Sequence, residues 1–453
     1  MLPRVWTAAR LVCCIAMPAV SGEAQPPCFK DFMGLNAHFA FKPALYRPTC
    51  RLVRNYHNLD WDVAAIGNAP TFPVCVNRVD WKHVYGAWRK EGFEIDLCAQ
   101  FGRFGHGNPD FRRLWEGQEA WSRTYGREMA RYFGPSGAER LVTSIEIDNE
   151  PGRKFDDALY RRIFRAMAEG IREGDPQVKI VTCTARARAA DDYSKSLDET
   201  FGAPDLLPLY DVINAHVYAM LPKAPGRSPW DRSHPEDPAI DYVRLVDEIV
   251  AWRDAKAPGK QVWITEFGWD ACTDEAFKNR TGWFLKLNWT DVTDLQQAQY
   301  LVRSFFVFAA HKVDRAYIYY FDDNDEPAFH AASGLTRKFK PKPSYWAVRH
   351  LHQALGEYRL ARVVRQEVGS LYVYEFQHGN EPGLSVWAAW SPTGSGREAE
   401  VTLEGLPGTP AKVERMPTQE GDPPAVEWKP AGPRSIKLTV NESPSYLFFS
   451  KRP

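Results

Sequence analysis

The sequence carries no surplus charge of either sign: Lys plus Arg and Asp plus Glu both count 57, and the formal net charge is +0. A chain that holds nucleic acid by its phosphates needs a basic surplus, so no nucleic-acid partner is expected. Long apolar runs are missing too. The run from Leu11 to Val20 is shorter than the roughly 20 residues that cross a bilayer, and no later segment is a membrane candidate. Cysteine is sparse and scattered, with no CxxC pair and no Cys/His cluster at zinc spacing, which removes a structural zinc site. Neither an internal repeat nor a long low-complexity stretch occurs, which excludes a solenoid.

What the chain does have is aromatic surface. Of its 453 residues 44% are apolar, 25% charged and 13% aromatic, the range of globular chains that bury a large core. The 16 Trp and 19 Tyr offer flat rings that stack on apolar faces of ligands, sugar rings among them, while their edges hydrogen-bond. The first two dozen residues stand apart. Arg4 and Arg10 precede the apolar run, Pro18 breaks it, and the small residues Ser21, Gly22 and Ala24 follow. Residues 1–24 therefore read as a secretory signal peptide, and a secreted or periplasmic protein free of the membrane is expected after cleavage. A buried N-terminal helix is the competing reading. Cys13 and Cys14 would leave with the signal, so six cysteines remain. Cys98 and Cys183 lie in apolar runs and are expected as buried thiols, whereas Cys28 with Cys50 is a candidate bridge.

Behind the leader, short apolar strands alternate with longer segments of helical spacing, the pattern of a parallel sheet with helical crossovers. Eight strands are expected, at 32–38, 51–56, 94–100, 144–147, 179–183, 212–217, 262–265 and 316–321. Eight suggest a closed (β/α)8 barrel, with an open doubly wound sheet as the alternative. One helix starts at the N-cap Asp80 and carries Trp81, Val84, Tyr85 and Trp88 before stopping at Gly92. Others are expected over 156–174, 242–252, 295–310 and 345–355. The first crossover, 42–50, holds two prolines and leaves little room for a helix. From about Glu357 helical spacing gives way to period-two strands broken by Gly and Pro, at 371–376, 384–390, 398–403, 411–415, 435–440 and 445–449. The expected organisation is thus a leader (1–24), a barrel (25–355) and a C-terminal antiparallel β-sandwich (356–453) that serves as a scaffold and contributes no catalytic group.

In parallel barrels, reactive side chains sit just beyond the C-terminal ends of the strands. Two of those ends present a glutamate: Glu150 after the fourth strand and Glu266 after the seventh. Glycoside hydrolysis needs two carboxyl groups, one to protonate the leaving oxygen and one to attack or stabilise the anomeric carbon. A lone Glu is most often a solvated acid; joint placement on two strand ends points to chemistry. His216 and Tyr218 alternate along the sixth strand and share a side, which is either the pocket or the barrel core. His38 and His57 are weaker candidates for substrate contact, with a structural role as the competing reading. Asp322, Asp323, Asn324 and Asp325 follow the eighth strand. They read as sugar-binding groups, a calcium loop without EF-hand spacing, or a solvated loop.

Asn149-Glu150-Pro151 after a fourth strand and Thr265-Glu266-Phe267-Gly268 after a seventh resemble the signature of the clan A retaining glycoside hydrolases, and family 39 most nearly. The resemblance implies Glu150 as acid/base, Glu266 as nucleophile and Asn149 as the residue that binds the hydroxyl next to the anomeric carbon. Leu52-Val53-Arg54 resembles the second-strand Arg that supports the nucleophile, and His216-Val217-Tyr218 the sixth-strand His-x-Tyr. Gly334-Leu335 and Lys342-Pro343-Ser344-Tyr345-Trp346 resemble the family's closing segment. Two departures stand out: Asp148 replaces the usual Trp before the Asn-Glu pair, and His57 follows Arg54 by three residues rather than two.

The expected function is a retaining glycosidase acting on a carbohydrate by double displacement, with no cofactor and no metal. Its catalytic pair is Glu150 and Glu266, and Asn149, Arg54, His216, Tyr218, His57 and His38 surround the substrate. The alternatives are a carbohydrate-binding barrel without turnover and a metal-dependent barrel hydrolase using His38, His57 and His216.

Overall fold

Short apolar stretches followed by crossover segments pair here as a closed ring, which hides both faces of a parallel sheet and leaves no edge. The computed structural model describes residues 25–38, 42–72, 76, 78–222, 224, 231–275 and 291–450. The expected leader and Cys75 lie outside these residues. The strands are β1 (Met33–Ala37), β2 (Leu52–Asn58), β3 (Glu94–Gln100), β4 (Ser144–Ile147), β5 (Lys179–Arg186), β6 (Val212–His216), β7 (Gln261–Phe267) and β8 (Arg315–Ile318). Each pairs in parallel with the next, and β8 pairs with β1, which closes the barrel and excludes the open sheet.

The crossover helices are α1 (Trp81–Lys90), α2 (Glu119–Phe133), α3 (Asp157–Gly174), α4 (Tyr242–Lys256) and α5 (Asp294–Ala310), and α6 (Pro343–Leu355) follows β8. Asp80 caps α1 by accepting from His83 N at 3.1 Å, and Asp156 caps α3 by accepting from Leu159 N at 3.0 Å. The proline-limited first crossover holds one helical turn, Pro43–Tyr46. No helix was expected where α2 lies. It packs on α3 so closely that a Cβ on Gly170 would sit 1.9 Å from Arg123 O, so glycine is what allows the contact. No helix among the described residues is long and apolar enough to cross a membrane.

After α6 the chain forms β9 (Tyr358–Glu367), β10 (Leu371–His378), β11 (Ser385–Trp390), β12 (Ala399–Leu403), β13 (Lys412–Arg415), β14 (Trp428–Gly432), β15 (Ser435–Val440) and β16 (Ser445–Phe449). They build an antiparallel five-stranded sheet, β9-β10-β11-β16-β13, and a three-stranded sheet, β12-β15-β14. Alternation along β10 and β11 explains the layering. Leu371, Val373, Trp387 and Ala389 pack with Leu403, Ile436 and Leu438 between the sheets. Tyr372, Tyr374, Phe376 and Trp390, on the other face, join the barrel core, where Phe306 of α5 lies 5.3 Å from both Phe376 and Trp390. With both faces covered, every residue of β11 is buried.

Two expectations are corrected here. Cys28 and Cys50 are both free, each thiol finding its own acceptor, Glu357 O and Leu52 O respectively. The three aspartates of the run after β8 form a clamp rather than a solvated loop, while Asn324 between them is exposed. Asp322 accepts from Thr336 Oγ1 at 2.7 Å, Asp323 from Gly334 N and Lys342 Nζ, and Asp325 from Thr273 N.

Candidate active site

Along β2 the side chains at alternate positions enter the barrel at three levels. Leu52 joins Val181, Val212, Trp263 and Tyr317 in an apolar plug. Arg54 occupies the level above it, fully buried, and Tyr56 reaches the cavity. Arg54 is held by a bidentate pair to Glu146, with Nε and Nη2 each 2.8 Å from an oxygen. It also donates to Asn36 Oδ1 at 2.9 Å, Asn149 Oδ1 at 2.7 Å and Glu266 Oε1 at 3.1 Å. Burial pushes Glu146 up to about 7 against the pull of Arg54. One fixed cation thus ties together three strand ends.

Strict alternation from Trp263 and Thr265 would turn Glu266 out of the barrel. The β7 register slips at this point, so that Ala215 pairs with Ile264 and His216 with Glu266. This bulge lets two successive residues face inward. Glu266 Oε1 accepts from Arg54 and, at 2.6 Å, from Tyr56, while Oε2 accepts from Tyr218 at 2.9 Å. Burial pushes its carboxyl up, but the charges of His216 and Arg54 and the two phenol hydrogen bonds outweigh burial and hold it at about 2. Glu266 is therefore an anion with both oxygens engaged.

Glu150 is set differently. Its side chain is 29% exposed, and its Oε1 lies 2.7 Å from His216 Nδ1. The other ring nitrogen of His216 is 3.1 Å from Thr265 Oγ1, which in turn donates to Asn214 Oδ1. Asp148 makes the turn that delivers Asn149 and Glu150: its φ is +64°, a conformation that Asp tolerates and a bulky Trp does not, and its carboxylate accepts from Phe101 N and Asn149 N. Burial pushes that carboxyl up to about 6. One ligand atom each of Glu150, His216 and Glu266 lies within 4.8 Å of the others. These groups line an open cavity of about 870 Å³ together with Asn149, Tyr218 and His38.

Comparison with known proteins rests on structure alone, because the sequence matches no family model and no curated protein. A family 39 glycoside hydrolase from the gut symbiont Bacteroides cellulosilyticus WH2 superposes with a TM-score of 0.66 at 17% identity, over 94% of this chain and 81% of that one. A glucosidase from Croceicoccus marinus gives 0.61 at 13% identity, over 95% and 98%. A family 30 endoxylanase from Clostridium papyrosolvens C71 gives 0.58 at 12% identity, over 94% and 97%. The fold is that of the clan A glycoside hydrolases.

In this barrel the residues expected at the substrate divide. Glu150, Asn149, His216, Tyr218, Glu266 and His38 line the cavity. Arg54 does not reach it, being fully buried beneath Glu266. His57 does not line it either. Its odd offset from Arg54 turns it outward, where Nε2 meets Asp62 at 2.6 Å, Nδ1 meets Tyr85 at 2.8 Å, and the ring stacks on Trp81 at 4.2 Å. His38, His57 and His216 therefore form no metal site together. A cation fits only the trio Glu150, His216 and Glu266 among the described residues, and there Arg54 already pairs with Glu266 at 3.1 Å. Sequence reasoning missed Tyr56, Glu146 and Asn36, together with the cavity walls formed by Trp61, Tyr193, Tyr319 and His330. Only Tyr56 carried a signal, its even spacing from Arg54.

Proposed function

We propose that this chain is a retaining glycoside hydrolase in which Glu266 is the nucleophile and Glu150 the acid/base. The observation that carries the reading is the unequal setting of two carboxyl groups whose nearest oxygens lie within 4.8 Å. Oxygens this close are in keeping with the roughly 5 to 5.5 Å between the carboxyl groups of retaining enzymes. Glu266, ionised by a buried cation and two phenols, attacks the anomeric carbon. Glu150, partly exposed and bonded to His216, gives its proton to the departing oxygen and then takes one from the water that releases the sugar. Asn149, fixed by Arg54, offers its amide to the adjacent hydroxyl. The similarity of the whole chain to glycosidases of several families supports a carbohydrate substrate.

Azide separates the two roles. Glu150→Ala is expected to keep turning over dinitrophenyl glycosides, whose departure needs no proton, and to be accelerated by azide with a glycosyl azide of retained configuration. Glu266→Ala is expected to be inactive, and azide there to give the inverted product, because the anion enters from the vacated face. The reverse pattern would exchange the two assignments.

A further inference from the structure

Among the described residues Tyr193 is the only exposed large aromatic, at 52% exposure, and it stands on the wall of the catalytic cavity. Rings elsewhere in the fold are buried or half-buried, so its position needs a cause. The loop that carries it is not free to place the ring anywhere else. Asp191 accepts from Tyr193 N at 2.8 Å and Ser194 N at 2.6 Å, and pairs with Arg186 at 3.1 Å. The same loop is sewn to the segment that follows Glu150: Gly152 N donates to Tyr193 O at 3.0 Å and Arg153 N to Asp191 O at 2.8 Å. Arg153 and Asp192 add an ion pair at 2.8 Å. Gly152 has φ +53°, and a Cβ there would lie 2.0 Å from Asp192 O, so the junction requires glycine.

This stitching holds the backbone of Tyr193 beside the segment that carries the acid/base. In the reaction proposed above the glycosidic oxygen receives its proton from Glu150, so the leaving group lies on the Glu150 side of the cavity. The sugar that is attacked lies over Glu266, between Tyr56, Tyr218 and Tyr319. We infer that Tyr193 is the platform on which the leaving-group sugar stacks, and that the substrate carries a ring, not a small alkyl group, on that side. A flat amphipathic ring presents an apolar face to the C–H face of a sugar, and with only two side-chain torsions to order it does so at little entropic cost. Burial, and after it the charge of Glu150, pushes the Tyr193 phenol up, in keeping with this proximity.

The inference rests on the glycosidase reading, and the test separates the two. A panel of 4-nitrophenyl glycosides first identifies the sugar released fastest by the wild type. The glycosyl fluoride of that sugar, whose leaving group is too small to stack, is then compared with its disaccharides. Tyr193→Ala is expected to lower the ratio of kcat/KM for disaccharide over fluoride about tenfold, mainly through KM, and Tyr193→Phe to restore it, since the ring and not the hydroxyl provides the surface. The Ala variant is also expected to transfer less of the glycosyl-enzyme to added sugar relative to water. An unchanged ratio, or an equal loss on both substrates, overturns the platform while leaving the glycosidase reading in place. A wild type that releases no sugar from any glycoside overturns that reading and the platform with it.

Discussion

The single negative charge of Glu266 is shared among a guanidinium and two phenols, and each donor adds to the preference for the ionised form. Removing a donor to a charged acceptor costs roughly 1.5 to 3 kcal/mol, and about 1.4 kcal/mol corresponds to one pKa unit. Tyr56→Phe or Tyr218→Phe is therefore expected to raise the Glu266 pKa by about one unit or more. The nucleophile must be ionised, so the acid limb of the kcat/KM profile moves to higher pH. A pH–rate profile of each variant checks this, and an acid limb that stays in place would show that neither phenol supports the anion. Tyr56, which the sequence reading passed over, lies two residues from Arg54, an offset that puts both side chains on one face of β2; the same alternation turns His57, expected at the substrate, to the outside. Glu266 was legible from its motif, which survives in the sequence although plain alternation turns it outward and only the bulge brings it in.

At the level of elements, a buried charge ties sandwich to barrel. Glu236, in the segment before α4, accepts from Arg303 Nε of α5 at 2.9 Å and from Trp390 Nε1 of β11 at 2.7 Å. Burial raises its carboxyl, but Arg303 and the hydrogen bonds win and hold it at about 2. A depressed native pKa stabilises the fold above the unfolded value near 4.5 and loses that contribution as pH falls toward 2. Glu236→Ala leaves the buried Arg303 without its carboxylate, with only the Thr393 carbonyl still accepting from it, and is expected to cost roughly 3 to 5 kcal/mol. Because the cores are continuous through Phe306, calorimetry of that variant should show one transition at lower temperature. Two separated transitions would mean that the sandwich and barrel are independent. The barrel strands were legible because apolar runs need little context, whereas the mostly exposed β9 and the Pro- and Gly-containing β14 of the sandwich were passed over. The helix α2 was overlooked although Trp121, Tyr125, Met129 and Phe133 recur every fourth residue, because small, polar and charged residues separate them.

Across the whole molecule, eight strand–crossover units and two strand-end glutamates carry most of the account, and both were readable in the chain. The sugar was not. The rings that shape the cavity, Trp61, Tyr193, Tyr320 and Phe329, come from the segments after β2, β5 and β8, whose convergence depends on barrel closure, so no spacing in the sequence joins the three. Among the described residues, none of the sandwich lines the cavity. The central claim is that two carboxyl groups this close act by two successive inversions. Proton NMR of the first sugar released by the wild type from a glycoside of known configuration tests it most directly. The account predicts that the nascent sugar keeps the anomeric configuration of the substrate; a nascent product of the opposite configuration would contradict Glu266 as the nucleophile.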